Sequence, residues 1–167
     1  MKIKKLLGFY TCIIIFIGLF INCAASMASY PVKVKDSKGN YLKFSQPPQR
    51  LVSLVPSATQ ILFDLGAKNF VKAVTHHDTG LAGAHGKQII GGFLKPSLNK
   101  IDAVQPDMII LLPTHKDIIK KYKKTNVRLF IFQTDTLENS YKSIRAFGKI
   151  FNLEEQAEKI INKNKPR

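Results

Sequence analysis

The chain has 167 residues, of which 45% are hydrophobic, and it carries a formal net charge of +15. This length allows one domain and the beginning of a second, and the apolar fraction argues against a disordered chain. The lysines are scattered, without the arginine-rich helix or interleaved aromatic residues of a nucleic-acid-binding surface, so we expect no nucleic-acid partner. A solvated lysine surface is the main interpretation, and weak attraction to anionic lipid is the alternative.

Residues 1–28 have the pattern of a secretory signal peptide. Three lysines among the first five residues precede an apolar run, Leu6 to Ile21, and small residues follow it. Cleavage after Ala25 or Ala28 and lipid modification of Cys23, as in a lipoprotein, stay open as alternatives. A retained anchor is a third alternative, although the run is shorter than the about 20 residues that span a bilayer. The expected location is the periplasm or the outer face of the cytoplasmic membrane.

The next residues predict alternating strands and helices. Tyr30 to Phe44 alternates around a polar turn, as a β-hairpin does. Apolar, β-branched runs then predict five strands: Leu51 to Val55, Phe70 to Val74, Gln88 to Ile90, Met108 to Leu112 and Val127 to Phe132. Since helical stretches separate most of these runs, the sequence predicts an α/β fold with a mostly parallel sheet covered on both faces.

Capping residues predict where the helices begin. Pro56 ends the first buried strand because proline has no N–H for a strand ladder, and Ser57 with Gln60 has the spacing of a capping box. Gly66 suits the positive φ that ends such a helix. Later helix starts are assigned on the same grounds to Ser97, to Thr114, to Asp135 with Glu138, and to Asn152 with Glu155.

Several motifs occur in order with the gaps of a known family. They are the stretch RLVSLVPSATQIL from Arg50, then Gly91-Gly92-Phe93, Pro96-Ser97-Leu98 and Pro106 to Ile110. Together they resemble the amino-terminal lobe of ABC-importer substrate-binding proteins of the iron-siderophore and vitamin B12 type. The resemblance implies a Rossmann-like lobe of the class III periplasmic-binding-protein type.

Members of that family hold their ligand between two α/β lobes joined by one long helix. The resemblance therefore implies a first lobe at residues 29–152, the start of the interlobe helix at residues 153–167, and a missing second lobe. The helix beginning at Leu153 has an apolar face with nothing to pack on, which favours a fragment of a longer product over a natural truncation.

The resemblance also implies the partners. The ligand would be an iron-siderophore, a haem-like molecule or a corrinoid, bound by a monomer that needs no cofactor and docks on an ABC permease. An acidic residue that commonly meets a permease arginine corresponds here to Asn99. An amide loses the charge-assisted part of that interaction, so we expect weakened docking.

Candidate ligand contacts lie in the loops that follow the strands, because ligands of open α/β sheets bind at the carboxyl edge. These cleft-rim candidates are Pro56, Ser57, His76, His77, Asp78, Phe93, Thr114, His115, Thr134 and Asp135. No helical stripe explains Phe93, whose ring suits a flat macrocycle or a catecholate, although burial in the lobe core is an equal alternative. Adjacent histidines on an extended loop point in opposite directions, so the alternatives for them are a solvated loop or ligand contact rather than a shared metal.

Two other functional classes are weighed against the importer. The chain contains no G-x-S-x-G, no H-E-x-x-H and no phosphate-binding glycine loop, so we expect no enzyme; a metal-dependent enzyme would have to use His77 and Asp78. An exported surface lipoprotein without a transport role is the other alternative.

The N-terminal pattern predicts that the protein leaves the cytoplasm. Fractionation after expression should find it outside the cytoplasm and shortened, and mass spectrometry of the product should give either a cleaved terminus or a diacyl mass on Cys23. A full-length cytoplasmic product would contradict this prediction.

Overall fold

The structure, a computed structural model, describes residues 30–165. The predicted hairpin is confirmed: β1 (Val32–Lys35) pairs antiparallel with β2 (Tyr41–Phe44). The carboxylate of Asp36 closes the turn by accepting hydrogen bonds from the backbone N–H groups of Lys38 and Asn40, both at 2.9 Å. Aspartate is favoured in turns because its short side chain reaches such local amides.

A parallel sheet of five strands forms the centre of residues 30–165. Its strands are β3 (Leu51–Ser53), β4 (Val71–Val74), β5 (Gln88–Ile89), β6 (Met108–Leu111) and β7 (Arg128–Ile131). They lie in the order β5-β4-β3-β6-β7, and each neighbouring pair is parallel. The predicted α/β fold is therefore confirmed. Strands β3, β5, β6 and β7 end one or two residues before their apolar runs do, because the last apolar residues lead into the next loop, whereas β4 ends with its run at Val74.

Helices cover both faces of this sheet. They are α1 (Pro56–Asp64), α2 (Leu98–Val104), α3 (Lys116–Tyr122), α4 (Leu137–Phe151) and α5 (Glu154–Lys163). Alternate strand residues enter opposite core layers: Leu51 packs with α1, α4, α5 and the hairpin, and Val52 packs with α2 and α3. Two covered faces explain why the strands read as continuous apolar runs.

The structure confirms one of the predicted helix caps and corrects another. Ser97 does cap α2, accepting a hydrogen bond from the Lys100 N–H at 3.4 Å. The capping box of Asp135 with Glu138 is wrong, because Thr136 caps α4 and accepts from the Asn139 N–H at 3.1 Å. Threonine and aspartate are both good caps, so the adjacent pair left the start of the helix ambiguous by one residue.

The predicted start of the last helix is also wrong. Asn152 ends α4 in the left-handed region, with φ 58°, and α5 begins only after Leu153. Asparagine is one of the few residues other than glycine that adopts this conformation readily. The break lets the chain reverse direction between the two helices.

Helix α5 returns along α4 and buries its apolar face there. The Tyr141 hydroxyl donates to the Asn164 carbonyl at 2.9 Å, and Arg145 pairs with Glu158 at 2.6 Å. Ala157 and Ile161 are buried in the core layer that contains α4. The expectation that this helix has nothing to pack on is therefore wrong.

The predicted signal peptide and Cys23 lie outside the described residues. Within residues 30–165, no helix combines the length and the apolar character that a membrane span requires.

Close contact between α4 and α5 depends on Gly148. A Cβ added there would lie 2.8 Å from the Cβ of Ala157 and 3.3 Å from the Leu153 carbonyl oxygen. Gly148→Ala should lower the free energy of unfolding, because overpacking costs about 1–3 kcal/mol and exceeds the about 1 kcal/mol of helix propensity that alanine adds. Urea denaturation would measure the change.

A rescue variant and a control make this test specific. Combining Gly148→Ala with Ala157→Gly should recover stability beyond the sum of the two single changes, because the clash is removed. Gly80→Ala should have little effect, since a Cβ at Gly80 meets nothing within 4 Å. Additive effects at positions 148 and 157 would contradict the proposed packing.

Candidate functional site

The carboxyl edge of the sheet gathers the loops predicted to form the ligand rim. Strands β3, β4, β6 and β7 are mutually parallel, so the segments after them leave the sheet at the same edge. The strand order reverses direction between β3 and β6, because the chain first adds β4 and β5 on one side and then β6 and β7 on the other. Such a switch point opens a crevice between the two diverging loops.

Phe93 occupies the centre of an aromatic cluster at this edge. Its ring centroid lies 6.1 Å from that of His77 and 6.0 Å from that of His115, with interplanar angles of 71° and 83°. Both contacts are edge-to-face, a favourable arrangement for aromatic pairs. The Phe93 side chain is only half-buried, so it packs on the lobe and also presents surface at the rim.

His115 joins two of the rim loops through its ring nitrogens. Its Nδ1 accepts a hydrogen bond from the Leu112 N–H at 3.2 Å, and its Nε2 lies 2.8 Å from the Phe93 carbonyl oxygen. Since an amide donates to Nδ1 and a carbonyl can only accept from Nε2, the arrangement requires the neutral tautomer with its proton on Nε2. Burial lowers the pKa of His115 below its usual 6.5, and the hydrogen bond to Phe93 opposes part of that lowering.

His115, and not the predicted Thr114, lies at the N-cap position of α3. The helix begins at Lys116 with His115 at the N-cap position, so Thr114 does not cap it. Thr114 is instead exposed beside the buried His115. The His115 imidazole contacts both the Leu112 amide and the Phe93 carbonyl, and so joins the segment after β6 to the Phe93 loop.

The loop that carries Phe93 is fixed at its base. Gly91 has φ +113°, and a Cβ there would lie 3.3 Å from the backbone nitrogen of Ser97, so the loop requires glycine at this position. The His76 N–H donates to the Gly91 carbonyl at 2.9 Å, and Gly91 bridges to Pro96. The tip is accordingly a short, closed projection beside the His77 turn.

A shallow groove runs between this loop and α3. Its volume is about 440 Å³, and its lining includes Leu94, Leu98, Thr114 and Ile118. Leu94 is 74% exposed although it is strongly apolar. Leu94 is not among the residues predicted from the sequence, although, like Phe93, it belongs to no helix or strand stripe.

Ser57 has a different local role from the predicted one. Helix α1 begins at Pro56 with Val55 as the N-cap, so the predicted capping box of Ser57 with Gln60 is wrong. Proline is favoured at the first helical position because the N–H it lacks would have no partner there. Gly66 does take the predicted positive φ, at 90°. Ser57 is exposed and faces solvent in the first turn after β3.

Asp78 is buried and supports the loop from within. Its Oδ2 accepts hydrogen bonds from the Thr75 N–H at 2.8 Å and from the Thr75 hydroxyl at 2.6 Å, which closes a capping box on the turn His76–Asp78. Its Oδ1 is buried without a hydrogen-bond partner among the described residues. The expectation of a rim position for this side chain is wrong, because the Asp78 side chain is completely buried beneath the turn.

The remaining candidates lie at the two flanks of the edge. His76 and His77 are exposed in their turn, and Thr134 and Asp135 are exposed after β7. A hydrogen bond from the Asn139 side chain lowers the pKa of Asp135. Across residues 30–165, no group of three or more His, Cys, Asp or Glu side chains is arranged to hold a metal ion. The contacts thus unite Phe93 with His77 and His115, and topology alone relates Pro56, Ser57, Thr134 and Asp135 to them.

The family model and the curated proteins that match this chain all describe substrate-binding or ligand-binding proteins. The model of the family described as periplasmic binding protein matches residues 51–166. An uncharacterized ABC transporter substrate-binding lipoprotein of Bacillus subtilis is 25% identical over 81% of this chain and 45% of its own length. A cobalamin-binding protein of Halobacterium salinarum is 27% identical over 65% of this chain and 30% of its own length. The chain therefore spans less than half the length of these relatives.

A solved structure shares the fold at low identity. The petrobactin-binding protein YclQ of Bacillus subtilis superposes with a TM-score of 0.68 at 18% identity, covering 81% of this chain and 50% of that one. This likeness covers the same α/β architecture of parallel strands and helices described above.

The His115 bridge predicts a dependence of stability on pH. Because the folded protein lowers the pKa of His115, the native state binds fewer protons than the unfolded state, and stability falls as the pH drops below about 6.5 and through the lower folded pKa. His115→Gln should flatten this fall, measured as melting temperature between neutral and mildly acidic pH. His85→Gln, in an exposed part of the preceding loop, is the control and should leave the profile unchanged. Identical profiles for wild type and His115→Gln would contradict the prediction.

Proposed function

The chain belongs to the periplasmic binding protein family, and we propose that it supplies one wall of the ligand site of an ABC-importer substrate-binding protein. The proposed ligand is an iron-siderophore, a haem-like molecule or a corrinoid. The observation that carries this proposal is the position of Phe93, half-exposed at the carboxyl edge and flanked edge-on by His77 and His115. Binding of a solute needs no catalytic group, which agrees with a family of solute-binding proteins.

The chemistry of the rim suits a large, flat and partly polar ligand. Phe93 and Leu94 offer apolar surface, and exposed His77 and Thr114 offer hydrogen-bonding groups beside it. Ligand sites combine a mainly apolar lining with a few fixed polar groups in this way. Two relatives support the ligand class by name, the cobalamin-binding protein of Halobacterium salinarum and the petrobactin-binding protein of Bacillus subtilis.

We propose further that Ser57 and Asp135 contribute to the same site from the two sides of the switch point. Both are exposed in the segments that follow β3 and β7, and their neighbours Pro56 and Thr134 belong to the same segments. Asp78 is not part of this proposal, because its carboxylate is buried in the turn that carries His77. It acts by fixing that turn.

The proposal also includes a second lobe, a contact with a permease, and export. A second lobe would supply the opposite wall, with residues 153–167 as the beginning of the connection, and the protein would act as a monomer. Asn99 is exposed near the start of α2, where an uncharged amide would make a weaker contact with a permease arginine than a carboxylate would. Export with or without a lipid on Cys23 is supported by the lipoprotein of Bacillus subtilis among the relatives.

A surface lipoprotein without a transport role is the alternative. It predicts the same export but no ligand at the rim. Calorimetry with cyanocobalamin, haemin and ferric catecholate siderophores separates the two functions, and failure of all three to bind a two-lobed form would contradict the importer proposal.

Phe93 should dominate the ligand affinity. In a form of the protein that carries both lobes, Phe93→Ala should weaken binding by about 1–3 kcal/mol, the usual range for a buried aromatic anchor. His77→Ala should have a smaller effect, because the exposed ring contributes less buried area. Titration calorimetry with the ligand that binds the unmodified protein would measure both changes.

Two lysine variants are the matched controls. Lys120→Ala and Lys123→Ala change exposed positions in and just after α3, away from the aromatic cluster, and should bind normally. Normal binding by Phe93→Ala together with lost binding by either lysine variant would put the ligand on a different face.

The lobe described here should bind its ligand weakly by itself. One wall can contact only about half of the surface that a two-walled site would bury. Supplying a second lobe should therefore raise the affinity by orders of magnitude, measured by the same titrations. Equally tight binding with and without that lobe would contradict the shared-site proposal.

A further inference from the structure

The outward face of the hairpin is unusually basic. Side chains on it alternate with buried Val34, Leu42 and Phe44, and they consist of three lysines and one tyrosine: Lys33, Lys35, Tyr41 and Lys43. We call these four residues the basic hairpin face. All four are exposed, and Tyr41 keeps 60% of its surface accessible to solvent.

The lysine side chains on this face repel one another. Lys33 and Lys43 are direct cross-strand partners in the antiparallel register. Like charges directly opposite each other destabilise a strand pair. The ammonium groups of Lys33 and Lys35 also share one ring, lying 3.8 and 4.8 Å from the centroid of Tyr41. Core packing does not require these lysines, because the other face of the hairpin provides it.

More cationic groups continue this surface beyond β1. A groove of about 520 Å³ runs between β1 and α4, and Lys142, Arg145 and Lys149 line its helical side. Lys142 and Arg145 each pair with one exposed glutamate, whereas the groove's own carboxylate, Asp36, is buried. The Asp36 oxygens accept from backbone amides, among them those of Lys38, Asn40 and Ile131, and Asp36 forms no ion pair with a lysine among the described residues.

The hairpin is also the first element of the described residues, and it follows the predicted signal peptide in sequence. Cys23, the alternative lipidation site, precedes Val32 by nine residues. Nine extended residues span about 30 Å, so an anchor at or before Cys23 would hold the hairpin close to the bilayer. Lysines with an interfacial tyrosine match the chemistry of an anionic membrane surface, which attracts lysine side chains near it.

We propose that the basic hairpin face docks on the anionic headgroups of the lipid bilayer and fixes the orientation of the lobe there. The negative surface relieves the repulsion between Lys33, Lys35 and Lys43, and the Tyr41 ring enters the headgroup layer. This function is independent of the ligand at the carboxyl edge and of any permease. The anionic lipid surface is the partner that charge and position together favour.

The absence of tryptophan from the chain allows a direct test. Tyr41→Trp introduces a single tryptophan and keeps an aromatic ring beneath the lysines. The full chain is reconstituted in phosphatidylcholine vesicles with and without phosphatidylglycerol, so the N-terminal segment is common to both samples. The tryptophan emission of this variant should shift to shorter wavelength and be quenched by headgroup-labelled lipid only when phosphatidylglycerol is present. High salt should reverse both effects because it screens the charges.

Matched variants assign the effect to this face. Changing Lys33, Lys35 and Lys43 to glutamine should lower the ratio of docked to undocked protein by about fivefold per lysine. The same change at Lys68, Lys72 and Lys120, which are exposed elsewhere, should leave that ratio nearly unchanged. A reporter at Leu94→Trp, on the ligand rim, should show no quenching.

Three results would overturn the proposal. They are equal emission of the Tyr41→Trp variant in both vesicle types, equal losses from the two lysine sets, and quenching at position 94 as strong as at position 41. Thermal denaturation supplies an independent check, since Lys33→Gln with Lys43→Gln should keep or raise the melting temperature by removing a like-charge pair. A lower melting temperature would mean that these lysines serve the fold instead.

Discussion

The architecture depends on the complete burial of strand β3. Its backbone N–H and C=O groups have no access to water, so they must be paired on both sides, and β4 and β6 provide those partners in parallel register. Asp107, just before β6, fixes the amino end of β3 by accepting hydrogen bonds from the N–H groups of Gln49 and Arg50 at 2.7 and 3.0 Å. Once the strands are parallel and aligned, their following loops must meet at one edge, which is where the candidate site lies.

The site itself is held together by a small number of polar contacts between distant segments. The His115 imidazole connects the end of β6 to the Phe93 carbonyl, 22 residues earlier in the chain. The buried Asp78 carboxylate holds the turn that brings His77 against Phe93. Neither acidic nor basic groups need to face the ligand for this arrangement to form. The apolar and aromatic surface at the rim is therefore supported by the buried His115 and Asp78 side chains.

The aromatic cluster at the rim and the basic hairpin face lie on different parts of the lobe. The rim offers Phe93, Leu94 and neutral His115, with Lys95 and Lys116 lining the groove beside them, and further cationic side chains lie on the hairpin and along α4. The fold tolerates the repulsion of Lys33 with Lys43 because both ammonium groups are in water, where the interaction is weak. In the two proposals, the solute and the anionic lipid surface occupy separate parts of the lobe, so neither contact would disturb the other.

The sequence alone determined the fold class and the strands, because buried parallel strands need continuous apolar runs and Gly66 needs a positive φ that few residues accept. It also singled out Phe93, since no periodic pattern explained that residue, and the part that Phe93 plays in ligand binding stays a prediction. Tertiary structure alone decided the helix starts at Pro56 and Thr136, where neighbouring residues are equally able to begin a helix. It decided as well that His115 reaches Phe93, because that contact joins segments 22 residues apart that share no local signal. The burial of Asp78 did have a local signal, the capping-box spacing of Thr75 with Asp78, which the sequence prediction overlooked. The return of α5 along α4 follows from Asn152 and the space at Gly148, which only the packed helices reveal.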